Sequence, residues 1–134
     1  MTEPSPRLRT WTLEALPGRY CVARGGVDAI APEPPEQGFY SVTRTRDETS
    51  VVCAEEAAPR GWTVKRGWRI LQVVGVLDFS EIGILASLST TLAEAGVSIF
   101  ALSTWDTDYL MVGEADFGDA VEAFRRAGHE VRGD

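Results

Sequence analysis

Two polar corners in this 134-residue chain gather the side chains that could do chemistry: Asp78, Ser80, Glu81 and Gly83 in the run DFSEIG, and Ser103, Thr104, Asp106 and Asp108 in STWDTD. Asp78, Asp106 and Asp108 together could support paired-carboxylate hydrolysis or hold a metal. The single histidine, His129, lies elsewhere, and no nucleophile stands beside a base, so the expectation is no catalytic residue, no metal and no cofactor. A corner that turns from a strand into a helix offers different chemistry. The free N–H groups and positive potential of a helix start suit an anion, and a glycine there lets a ligand approach the backbone. Asp78 and Glu81 also have the spacing of a reciprocal helix cap, so capping and ligand contact both stay open for them. Asp106, with Thr104 and Thr107, reads first as a turn former. Asp108 enters an apolar strand, where a carboxylate needs a partner.

The elements that must position these groups follow from periodicity and turn chemistry. Trp68 to Leu77 is a mostly apolar, β-branched run, as expected of a central strand covered on both faces. A helix is predicted from Phe79 or Ser80 to Ala95, with Ile82, Leu85, Leu88 and Leu92 as its apolar stripe and Gly96 as its left-handed stop. Val97 to Thr104 and Asp108 to Val112 read as a strand pair. Asp116 to Ala127 reads as a second helix, with Phe117, Ala120, Val121, Phe124 and Ala127 on one face, followed by a short edge strand from Glu130 to Arg132. His129 is expected to be partly exposed.

Upstream, Trp11 to Leu16 and Arg19 to Ala23 flank the Pro17-Gly18 turn and read as a strand, turn and strand. Phe39 to Arg44 and Thr49 to Ala54 read as a hairpin with a charged tip. Between these pairs GGVDAIAPEPPEQG, Gly25 to Gly38, is too rich in proline for a helix and is expected to be a surface loop. One helical turn fits Glu55 to Ala58, Trp62 to Val64 is a brief strand, and the boundary between two halves falls near Gly67.

Hydrophobic content of 44% suits a packed fold, and residues 68–134 hold four basic and eleven acidic side chains, the whole of the net charge of −7. That acidity repels phosphate backbones and anionic lipid, and no basic stripe or membrane-length apolar run is visible, so neither nucleic acid nor membrane is an expected partner. Met1 to Pro6 has the composition of a frayed tail rather than a signal peptide. Cys21 and Cys53 read as buried free thiols, which agrees with a cytoplasmic location.

The run LDFSEIGILASLSTTLAEAGVSIFALSTWDTDYLMV, Leu77 to Val112, resembles the ACT domain, in particular amino-acid-binding ACT proteins related to the CASTOR arginine sensors and to the regulatory tails of aspartokinases. The shared features are a strand, a polar corner with glycine, a helix ending AEAG, and a strand pair holding ST-x-DTDY. The resemblance implies an α+β fold of two tandem ACT-like, ferredoxin-like βαββαβ halves, with antiparallel sheets and helices on one face: a degenerate half over 1–67 and an ACT domain over 68–134. It implies binding rather than catalysis, with an amino acid or similar small effector held at an ACT–ACT interface, in a homodimer. By position, Asp78, Phe79, Ser80, Glu81, Ile82 and Gly83 match the effector loop. Ser98, Ile99 and Phe100 match the facing strand edge, and Ser103, Thr104, Asp106 and Asp108 belong to the signature. The alternative is a structural or protein–protein module that uses the same corner only as a helix cap.

Overall fold

The computed structural model describes residues 9–77 and 83–134. Its strands are β1 (Thr12–Ala15), β2 (Tyr20–Gly25), β3 (Ser41–Arg44), β4 (Thr49–Ala54), β5 (Thr63–Val73), β6 (Ile99–Ser103), β7 (Asp108–Gly113) and β8 (Glu130–Arg132), and its helices are α1 (Ile84–Glu94) and α2 (Glu114–Arg126). The chain divides into two compact units, Gly18–Trp68 and Met1–Pro17 with Arg69–Asp134, and β5 runs from the first into the second.

In Gly18–Trp68, β4 pairs antiparallel with β3 and β2, and β2 also pairs with the start of β5. The charged tip closes as expected, with the Thr45 N–H donating to the Glu48 carbonyl at 2.9 Å. No α-helix forms in this unit; a 3-10 turn over Glu55–Ala57 is its one helical element, and the proline-rich stretch is irregular. The brief strand at Trp62 and the apolar run beginning at Trp68 are one element. Gly67, at φ +82°, absorbs the extra residue where the pairing with Tyr20 and Val22 slips, so it marks a bulge inside β5 and not a break.

In the other unit the sheet order is β6-β7-β5-β1-β8. The expected βαββαβ succession is present from β5 to β8, yet its sheet has five strands rather than four. β1 does not pair with β2 across Pro17-Gly18. It is inserted between β5, to which it is antiparallel (Leu13 opposite Val73), and β8, to which it is parallel (Leu13 opposite Val131). Alternation places Leu13 and Ala15, Leu71 and Val73, Leu110 and Val112, and Val131 on one face of this sheet. There they join Ile84, Leu88 and Leu92 of α1 and Ala120, Val121 and Phe124 of α2 in a single core. Among the described residues fourteen buried side chains make up that core, so burial rather than helix propensity fixes both helices against the sheet.

Two further boundaries differ from expectation: β5 ends at Val73, ahead of Gly75 at φ +106°, and α2 spans Glu114–Arg126 rather than Asp116 to Ala127, with Ala127 exposed beyond its end. β6 is partly exposed, with β7 its one neighbour among the described strands. His129 is buried at 5% exposure, contrary to the partly exposed position expected of it. Two aromatic rings enclose it, Trp11 stacked at 5.5 Å and Phe124 edge-on at 5.9 Å, and its Nδ1 accepts the Trp11 N–H at 3.1 Å.

Candidate functional site

A cavity of about 330 Å³ opens where the start of α1 faces the connection from β6 to β7. One wall is Gly83, Ile84, Leu85 and Ala86. The other is the run from Ser103 to Asp108, and Leu77 completes the lining. Gly83 stands at the N-cap in the left-handed region, φ +85°, and among the described residues no side chain caps the helix. The turn in the backbone is what glycine supplies here, since a Cβ would crowd the following carbonyl. The first intrahelical bond is Ser87 N–H to the Gly83 carbonyl, 2.8 Å, so the N–H groups of Ile84, Leu85 and Ala86 have no partner within the helix.

The opposite wall is held by its own short polar side chains. Thr104 N–H donates to the Thr107 carbonyl at 2.9 Å, and Thr107 N–H donates back to Thr104 Oγ1 at 3.4 Å, so the turn chemistry read from these residues is realised. Thr107 is buried, and its hydroxyl donates to the Val73 carbonyl at 2.6 Å, tying the turn to the end of β5. A second tie runs from Leu77 N–H to the Asp106 carbonyl, 2.6 Å. Asp108 finds the partner its strand position demanded: Ser103 Oγ–H donates to Asp108 Oδ1 at 2.5 Å. Burial, and then the negative charge of Asp106, push the Tyr109 phenol above its ordinary value.

Gly83, Ser103, Thr104 and Asp108 are therefore brought to one cavity. Ser98, Ile99 and Phe100 stand at the far end of β6 and do not line it. Asp78, Phe79, Ser80, Glu81 and Ile82 lie outside the described residues, as does the cap expected of Asp78 and Glu81; the helix that was to start at Phe79 or Ser80 starts at Ile84. Leu77, Leu85 and Ala86 were not singled out for the site. The signal available for them was Gly83, whose early-helix position made sense only if the helix began after it.

A larger groove of about 620 Å³ runs along α2 past Phe117, Val121 and Arg125. Its ions are already matched, Arg125 with Asp134 at 2.7 Å and Arg126 with Glu122 at 2.8 Å, whereas the cavity at Gly83 presents backbone donors opposite carboxylates. The smaller cavity is the better candidate on chemistry. Among the described residues no cluster of three or more His, Cys, Asp or Glu could hold a metal ion, and no helix is long and apolar enough to cross a membrane.

The ACT domain family model matches residues 63–126, and a second family model, for an N-terminal domain, matches residues 18–61. Protein Atu0741 of Agobacterium tumefaciens, known from an X-ray crystal structure, is 34% identical, with 92% of each chain covered and a TM-score of 0.84. The ligand-free regulatory subunit of aspartate kinase from Thermus thermophilus shares the fold at a TM-score of 0.61 and 13% identity, over 86% of this chain and 95% of that one. The human cytosolic arginine sensor for mTORC1 subunit 1 is 29% identical over 104 residues, 72% of this chain and 32% of that protein. The chain thus spans about a third of the length of the curated relatives it matches.

Proposed function

We propose, from the premise that the chain belongs to the ACT domain family, that it is a regulatory module that binds a free amino acid in the cavity between Gly83 and Asp108. The observation that carries this reading is the pairing of opposite chemistries across one small space. An amino acid needs donors for its carboxylate and acceptors for its ammonium a few ångströms apart. The N–H groups of Ile84, Leu85 and Ala86, at the positive end of α1, suit the carboxylate. Asp106 and Asp108 suit the ammonium or a basic side chain, which, with the similarity to a cytosolic arginine sensor, makes arginine the first effector to test. The volume lies at the lower end of the roughly 300–1,000 Å³ of small-molecule sites, in keeping with a ligand of this size.

We further propose that a second copy of the chain closes the cavity. Beside it Trp105 is 78% and Val76 75% exposed, and β6 leaves one edge unpaired among the described strands, features that a homodimeric ACT–ACT contact would cover. The same exposed pair favours one competing reading, a protein-interaction module with no small ligand. The division into a degenerate half over 1–67 and an ACT domain over 68–134, the assignment of Asp78 to Ile82 to the effector, and a cytoplasmic location belong to the same proposal.

The test is calorimetric titration of the protein with each of the twenty amino acids, alongside thermal unfolding in millimolar ligand. Occupancy at about a thousand times Kd stabilises by about 4 kcal/mol, which a melting curve resolves readily. Binding that is lost in Asp108→Asn and in Gly83→Val places the effector in this cavity. Binding undiminished in both variants moves it elsewhere, and no stabilisation by any amino acid favours the interaction module.

A further inference from the structure

Cys21 and Cys53, which the sequence presents as unrelated thiols, are directly opposite one another on β2 and β4, with their sulfurs 3.6 Å apart. The pairing geometry is set by the ladder. Glu55 N–H donates to the Arg19 carbonyl at 3.0 Å, in the same register that pairs Tyr20 with Ala54 and Cys21 with Cys53. Hydrogen-bonded and non-hydrogen-bonded pairs alternate along an antiparallel ladder, so Cys21 and Cys53, two residues on from Arg19 and Glu55, occupy another hydrogen-bonded pair. The α-carbons of such a pair are about 5.5 Å apart, inside the roughly 4.4–6.8 Å that a disulfide spans. The β-carbons of opposite residues are about 4.5–5.5 Å apart, the hydrogen-bonded pairs being the wider, against about 3.5–4.5 Å in a disulfide, so closing the bond turns the side chains and draws β2 and β4 slightly together at this point.

We propose that Cys21 and Cys53 are a site of reversible two-electron oxidation, at which a peroxide converts the thiol pair into a disulfide linking β2 to β4. One thiol attacks an oxygen of hydrogen peroxide, the O–O bond breaks, and a sulfenic acid and one water form. The second thiol then attacks the sulfenic sulfur, its S–H proton leaves with the departing hydroxyl as a second water, and the S–S bond forms. The two sulfurs together give up two electrons, and the two peroxide oxygens accept them.

The surroundings select the oxidant. Neither cysteine is exposed beyond 1%, and Val51, Trp62, Tyr40 and Ala31 pack around the pair, so a small neutral oxidant can reach the sulfurs while glutathione disulfide and other chains cannot. Burial, with the neighbouring Cys21 second, pushes the Cys53 thiol up to about 12, so Cys53 rests as a neutral thiol and reacts more slowly than an exposed cysteine. With a partner already in place, the sulfenic acid is trapped by the second thiol before further oxidation.

The experiment treats the full chain with hydrogen peroxide, or separately with glutathione disulfide, then unfolds and alkylates it and maps the peptides by mass spectrometry. The expected result is a Cys21–Cys53 cross-linked peptide after peroxide, absent after dithiothreitol, with no glutathione adduct in the folded protein. Cys21→Ala should instead accumulate oxygen on Cys53, though the wild-type map decides the matter whether or not that variant folds. Alkylation of both cysteines after peroxide would overturn the proposal, as would sulfinic acid on either cysteine of the wild type without the cross-link.

Discussion

Acidification should loosen the hold of β8 on β1, because His129 joins the two and accepts a hydrogen bond only when neutral. Its Nδ1 takes the Trp11 N–H at 3.1 Å, and Glu130 N–H returns a bond to the Trp11 carbonyl at 3.1 Å. Burial lowers the pKa of His129 below the ordinary histidine value. The unfolded chain therefore takes up the proton first. The stability from neutral His129 is complete above a pH of about 6.5 and is lost as pH falls through the lower folded value. His129→Phe keeps a ring between Trp11 and Phe124 but removes the acceptor, leaving a buried N–H without a partner at a cost of about 1–3 kcal/mol. At about 4 °C per kcal/mol for a chain of this size, that is a loss of roughly 4–12 °C in melting temperature at neutral pH. The assay is urea unfolding of wild type and His129→Phe between pH 7.5 and pH 5, with amide exchange read at Trp11 and Glu130. Wild-type stability should fall across the window while the variant changes less, so that the gap between them narrows, and Trp11 exchange should accelerate in the wild type. Parallel pH profiles for the two proteins would refute the reasoning, since they would show that the His129 proton is not coupled to folding.

Gly83→Ala should cost about 1–2 kcal/mol, because φ +85° forces a Cβ into the left-handed region, and it should weaken amino-acid binding by calorimetry more than Gly26→Ala does, where φ is not positive and the space is open. Thr107→Val keeps the shape but removes the donor to the Val73 carbonyl; about 1–2 kcal/mol of stability should go, measured by urea unfolding, with faster exchange of the Leu77 amide that bonds the same turn. Leu88→Ala, at a fully buried position of α1, should cost about 2–5 kcal/mol in the same assay, whereas Trp105→Ala, 78% exposed, should change stability by no more than about 0.5 kcal/mol.

What was legible in the sequence was what local pattern decides. α2 announced itself through apolar residues three and four apart, and the β3–β4 hairpin through its charged tip, because each is built from neighbours in the chain. The place of β1 was not legible. Alternation shows which residues of a strand face the core but says nothing of which strand lies beside it, and the contacts that fix β1 reach across 118 residues, from Trp11 to His129. The facing of Cys21 and Cys53 escaped for the same reason, since it exists only in the register of β2 against β4. The start of α1 at Ile84 has a local signal in the sequence, since a glycine within the first turn of a helix is costly and Gly83 instead stands at the N-cap; the cap spacing of Asp78 and Glu81 lies outside the described residues.

The insertion of β1 bears directly on how the candidate site is held. Val73 is the hinge of the arrangement: its backbone pairs with Leu13 of β1 on one side, and its carbonyl takes the Thr107 hydroxyl at the β6–β7 turn on the other. One residue on, Val74 N–H donates to the Thr12 carbonyl at 2.9 Å, and from there the chain reaches Leu77, whose N–H meets the Asp106 carbonyl. The acidic wall of the cavity is thus braced through β5 by a strand from the far end of the sequence, while the opposing wall is braced by Ile84 and Leu88 in the core beneath α1. Val73 and Leu13 share one core with Ile84 and Leu88, so the same packing that folds this unit sets the separation between backbone donors and carboxylates. For the described walls, Ile84 to Ala86 and Ser103 to Asp108, the cost of positioning donors and carboxylates is met in folding, which favours binding of a small zwitterion.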